Sequence, residues 1–118
     1  MLRHRLIIRA LAMLAALGIV LGLLIGGAQP VAVGLFTAPW DKLAHASLFG
    51  GFAAILHLGL GLRPHWALLG AALLGAVDEI HQIWLPGRSA GLDDLAADIL
   101  GAALVLALVR SWRLLSHR

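Results

Sequence analysis

Apolar residues in this chain fall into four long runs, and polar residues gather at one end of three of them. A helix that crosses a bilayer needs roughly 20 mostly apolar residues. Runs of that length lie at about 6–27, 40–62, 66–85 and 92–112. Breakers stand between them: Pro30 and Pro39, then Pro64, then Pro86 followed by Gly87. The pattern predicts an all-α membrane protein, a four-transmembrane-helix bundle forming one domain over residues 1–118. The basic start of the first run and the stretch GGAQPVAVG mimic a signal peptide, but the apolar run is long for one and predicts a retained helix.

Composition sharpens this. Of 118 residues, 61% are hydrophobic and 13% charged, about half the charged share of a soluble domain. That is too little polar surface for a small soluble fold. The chain has no cysteine, which excludes disulfides and thiolate metal sites. The high pI does not imply nucleic acid as a partner, because the basic residues flank apolar spans instead of lining a solvated face. Threading four helices puts Arg3, Arg5, Arg9, Arg63, Arg110, Arg113 and Arg118 on one side. By the positive-inside rule that side is cytoplasmic, with N-terminus and C-terminus both in. Lys42, Arg88 and all six acids belong to the outer side.

The candidate chemistry lies there. Asp41, Lys42 and His45 open the second helix; Asp78, Glu79, His81 and Gln82 lie in the outer half of the third. At 1.5 Å per residue, Asp78 rises ~18 Å into a hydrocarbon core ~30 Å thick. Arg88 sits in the outer turn, and Asp93, Asp94 and Asp98 open the fourth helix. Spacing puts Asp78, His81 and Gln82 on one face, with Glu79 about a quarter-turn away. A carboxylate at the centre of a spanning helix costs about 2.5–3.5 kcal/mol on insertion scales, so Asp78 and Glu79 need a reason. Duller readings stand beside the functional one. Asp41, Asp93 and Asp94 also fit interfacial caps, and Lys42 fits a snorkelling side chain. Asp98 fits an interhelical hydrogen bond, and Asp78 and Glu79 fit packing ion pairs with Arg88 and Lys42. His57 and His65 read as structural.

Small residues supply packing faces, Gly18, Gly22 and Gly26 on the first helix and Ala46, Gly50 and Ala54 on the second. The first helix reads as scaffold or as a homodimer contact. WDKLAHASL and LDDLAADIL, 52 residues apart, form a weak internal echo of a duplicated hairpin.

The stretches DKLAH and DEIHQIWLPGRSAGLDDLAADILGA together resemble the VanZ-like family of small bacterial membrane proteins, the group named for teicoplanin resistance. Asp41, Lys42 and His45 match its D-K-x-x-H element, and Asp78, Glu79 and Gln82 its D-E-x-x-Q helix. Gly87 and Arg88 match its G-R turn. Asp94, Asp98 and Gly101 match the last element, with Asp98 where asparagine is commoner. The resemblance runs from Asp41 to about Ala102 and implies a multi-pass protein of the bacterial cytoplasmic (inner) membrane. It implies no reaction.

Two kinds of function stay open. As an enzyme on a lipid-linked or other cell-envelope precursor, the chain would use Asp78, Glu79, His45 and Gln82 as candidate catalytic groups. Asp41, Lys42, His81, Arg88, Asp94 and Asp98 would be candidate substrate-binding groups, Lys42 and Arg88 as clamps for phosphate or carboxylate. Cofactors are open; a divalent ion on Asp78, Glu79 and Asp94 fits hard oxygen ligands. A covalent serine route through Ser47 or Ser89 lacks a recognisable elbow. The alternative is an accessory protein that binds or masks envelope components without chemistry. A proton-coupled transporter is disfavoured by the apolar cytoplasmic half.

Overall fold

A computed structural model describes residues 1–30, 34, 37, 39–88 and 90–118. Among them are four helices. Helix α1 (Leu2–Leu21) runs on through a π-helical turn, Gly22–Gly26; α2 (Trp40–Ala54) runs on through a second, Ile55–Gly59. Helix α3 covers Pro64–Ile83 and α4 covers Leu92–Ser116. The predicted boundaries are close. Pro64 starts α3 at the first helical position, where its missing N–H costs nothing. The turns after α2 and α3 contain Gly61 and Gly87 at φ +76° and +73°, a conformation that only glycine adopts without strain. The candidate nucleophile Ser89 lies outside the described residues, as do Val31–Val33 of the signal-like stretch.

The helices alternate in direction. At one end, here the polar end, Lys42 of α2 meets Asp94 of α4 and the turn before α4 meets Glu79 of α3. At the other, the basic end, Arg113 of α4 meets His57 after α2, and Gly59 lies against Ala12 of α1. Both chain ends are therefore at the basic end.

The apolar core fills the middle. Phe49, Phe52, Ala53 and Leu56 of the second helix pack with Ala67, Ala71 and Leu74 of α3 and with Ala102 and Leu106 of α4. Small residues decide how close α2 and α4 come. A methyl group added at Gly101 would run into the backbone of Ala46, and one at Gly50 would lie 2.6 Å from Val105. The Ala46–Gly50 stripe is thus consumed inside the bundle. The α1 stripe is not: a methyl added at Gly18, Gly22 or Gly26 meets no described atom within 4 Å.

The outer surface is apolar. Leu43, Leu69, Leu73, Val77, Ile80, Leu100, Leu104 and Leu108 are exposed, while Asp78, Glu79, Gln82 and Asp98 are buried. Among the described residues one helix, Leu2–Gly26, with mean hydropathy 2.5, is long and apolar enough by itself to cross a membrane. Helices α2, α3 and α4 each carry ionisable residues within their length, which dilutes their apolar windows.

Candidate functional site

The polar groups of α2, α3 and α4 converge because three helix ends meet there. Alternation brings the start of α2, the end of α3 and the start of α4 together, each carrying the polar part of its own sequence. A cavity of about 180 Å³ opens among them, lined by Gly34, Asp41, His45, Gln82, Gly87, Arg88 and Asp94.

Lys42, held by the cavity-lining Asp41 and Asp94, is surrounded by carboxylates. Its Nζ donates to Asp41 Oδ2 at 2.9 Å and to Asp94 Oδ1, and lies 3.1 Å from Asp93 Oδ2. This joins the first turns of α2 and α4. With three carboxylates on one ammonium, Lys42 is not a lone snorkelling group. Arg88 lines the cavity with Asp41 and Asp94; its guanidinium Nη2 is 3.9 Å from a methyl position at Gly27, near the end of α1.

Deeper, His45 shares a 2.7 Å hydrogen bond between Nδ1 and Asp98 Oδ1, and its ring stacks on Phe49 at 6.1 Å and 4°. Asp98 is fully buried against Gly75, whose missing side chain makes room: a methyl there would stand 2.9 Å from Asp98 Oδ2. On α3, Asp78 is 2% exposed, Glu79 8% and Gln82 3%. Both acids therefore face inward, which spacing alone left open. Gln82 donates to Asp78 Oδ2 at 2.9 Å, and Glu79 Oε2 accepts the N–H of Gly91 at 2.8 Å. The α3–α4 turn, folding back over Glu79, supplies that partner. Among the described residues Glu79 Oε1 and Asp98 Oδ2 are buried and accept no hydrogen bond.

His81 stands apart. It is half-buried, whereas the buried face of α3 runs through Ala71, Gly75, Asp78, Glu79 and Gln82; of the polar residues among these, Gln82 lines the cavity. Asp94, a suggested cation ligand beside Asp78 and Glu79, is engaged by Lys42; the group that converges is His45, Asp78 and Glu79, whose ligand atoms all lie within 4.8 Å of one another. Ser47 lines a separate, apolar surface recess with Trp40, Leu43 and Ala44. Sequence reasoning missed three participants: the Gly91 amide, the Phe49 ring and the Gly75 gap. Only Phe49 left a trace, four residues after His45 on the same helical face.

At the basic end His57 Nδ1 is 2.6 Å from the Leu62 carbonyl oxygen, and Arg113 Nη1 is 3.2 Å from His57 Nε2. This closes the end of the second helix onto α4 and agrees with a structural role for His57.

A family model described as VanZ/LLP1 matches residues 3–114, nearly the whole chain, including the α1 region that carries no distinguishing motif. No curated protein and no solved structure is significantly similar.

Proposed function

Because the chain belongs to the VanZ/LLP1 family, we propose that it is an envelope-related integral protein of the bacterial inner membrane whose polar cleft takes a cell-envelope or lipid-linked precursor. All four helices span the bilayer, both termini are cytoplasmic, and the cleft opens toward the outer leaflet. One observation carries this reading: the acids at the polar end are buried inside the bundle while its outer surface is apolar. Asp78, Glu79, Gln82 and Asp98 are buried while leucines of every helix face outward. In water that distribution exposes a large apolar surface without return; in lipid it is the expected one, because intramembrane acids face the bundle interior.

The absence of cysteine makes the topology directly testable. Single cysteines at Pro86, in the outer turn, and at His117, near the C-terminus, are exposed to a membrane-impermeant maleimide in intact spheroplasts. Labelling at position 86 and protection at 117 until lysis is the expected result. The reverse pattern inverts the topology, and labelling of both positions rejects four spans.

The cleft serves either chemistry on the precursor or its capture alone. Teicoplanin resistance, for which the resembling group is named, would follow from altered precursors in the first case and masked ones in the second. Incubating a labelled lipid-linked precursor with purified protein separates them. Turnover that is lost in Asp78→Asn while binding persists marks an enzyme; binding without turnover marks an accessory protein. A proton-coupled transporter predicts pH-driven flux in proteoliposomes. The α1 glycine stripe, open in the single chain, fits a homodimer contact, which crosslinking in native membranes would reveal.

A further inference from the structure

We infer that His45, Asp78 and Glu79 hold a divalent transition-metal ion, of the Zn2+ or Mn2+ kind, beside the polar cleft, which His45 lines. The inference rests on reading the cleft as a ligand site, though not on which precursor enters it. Three side chains from two helices bring one ligand atom each to within 4.8 Å of the others. Ligands on a tetrahedral ion with bonds of about 2.1 Å stand roughly 3.4 Å apart, so small side-chain rotations would close the shell.

Each ligand is already held from behind. His45 has Nδ1 on Asp98 Oδ1 at 2.7 Å and its ring against Phe49. With the Nδ1 proton donated to Asp98, Nε2 keeps its lone pair for a cation. Asp78 is oriented by Gln82 at 2.9 Å, and Glu79 by the Gly91 amide at 2.8 Å. Outer-shell hydrogen bonds of this kind, above all a carboxylate behind a histidine, set the ligand geometry of metal sites.

A separate observation points to a cation ligand. Glu79 is 8% exposed, and its Oε1 is buried with no hydrogen-bond partner among the described residues. Buried carboxylate oxygens are ordinarily hydrogen-bonded or bound to a metal. Lys42 does not reach the cluster, being taken by Asp41, Asp93 and Asp94. One imidazole with two carboxylates suits Zn2+ or Mn2+, whereas Mg2+ and Ca2+ favour oxygen alone. Three protein ligands leave a coordination position open, and the adjoining cavity of about 180 Å³ would admit a phosphate or carboxylate oxygen there. A metal bridge would explain how an acid-rich cleft accepts an anionic headgroup.

The test uses the full chain, purified in detergent on a tag without histidines and stripped by chelator. Titration calorimetry with Zn2+, Mn2+ and Mg2+, with metal content read by mass spectrometry, should give one Zn2+ or Mn2+ per chain and at least tenfold weaker Mg2+. Affinity should fall 100-fold or more in Glu79→Gln and in His45→Gln. It should fall about 10- to 100-fold in Asp98→Asn, where a positioning group is lost, and stay unchanged in His57→Gln at the basic end. Mn2+ bound to the unsubstituted chain should also show electron-spin-echo modulation from one imidazole nitrogen, a readout that needs no variant to fold. Absence of stoichiometric binding, survival of binding in both ligand variants, or no nitrogen modulation overturns the inference. A parallel binding assay on vesicles carrying an anionic lipid-linked precursor keeps the two readings apart. Precursor binding without metal binding overturns the metal site alone; metal binding without precursor binding supports the site and removes the proposed ligand.

Discussion

Asp78 and Glu79 show why a pair of adjacent acids must be examined atom by atom. Consecutive helical residues diverge by about 100°, so one of two neighbours is expected to turn away from a given face. Here both stay inside because α4 and the turn before it wrap that side of α3, and the Gly91 amide meets Glu79. Both acids are costly to bury, and Glu79 Oε1 has no partner among the described residues, so their charge is not expected to hold the metal-free fold together. Glu79→Gln and Asp78→Asn should leave the thermal unfolding midpoint of the metal-free protein unchanged or raise it. If both midpoints drop by several degrees in native-lipid detergent, the acids are structural ion pairs and the ligand reading loses its footing. Gly75 tests the opposite property. Its Cβ position lies 2.9 Å from Asp98 Oδ2 and 3.1 Å from Leu95, so Gly75→Ala should destabilise by about 1–3 kcal/mol, as overpacked cores do. Calorimetric unfolding would reveal it.

Among the elements, the α2–α4 pair is the one that small residues govern. Ala46 and Gly50 lie so close to Gly101 that no side chain fits between the backbones. Gly101→Ala should therefore separate the helices and cost about 3 kcal/mol or more, beyond an ordinary overpacking penalty. Gly18→Ala on α1 fills open space and gains helix propensity, so it should be neutral or stabilising by up to about 1 kcal/mol in monomeric detergent. Two similar glycine patterns thus predict opposite outcomes, and unfolding of the two variants side by side checks them. The pattern marks a surface capable of close approach; only the partner's position says whether the approach occurs. The π-helical turns at Gly22–Gly26 and Ile55–Gly59 were likewise not legible, because these stretches are apolar nearly all round and a shift of register leaves no mark in the pattern. The echo between the starts of α2 and α4 acquires a physical meaning: Lys42 and Asp94, equivalent in the two stretches, bond to each other.

For the molecule as a whole, charge is divided between the two ends. Arg113 and His57 close one, and Lys42 with Asp41, Asp93 and Asp94 closes the other. The Lys42 side chain is 35% exposed, so solvent weakens its bonds. Lys42→Met should cost about 1 kcal/mol at low salt, and the difference should shrink as ionic strength rises. A penalty independent of salt would mean that Lys42 acts through packing of its stem and not through charge.

The sequence by itself determined what depends on local order: four helices, their breakers, and the gathering of every acid at one end. Apolar periodicity, proline and glycine act over a few residues, and alternation then sends successive polar ends to the same place. Tertiary structure alone decided which polar atoms touch. His45 sits with Asp98 and close to Asp78 and Glu79, Lys42 bonds to three carboxylates, and Gln82 lines the cavity. Those choices follow from the rotation and separation of packed helices, set by contacts such as Gly101 on Ala46 and Gly75 beside Asp98. Such contacts join residues far apart in the chain, where no short-range pattern records them.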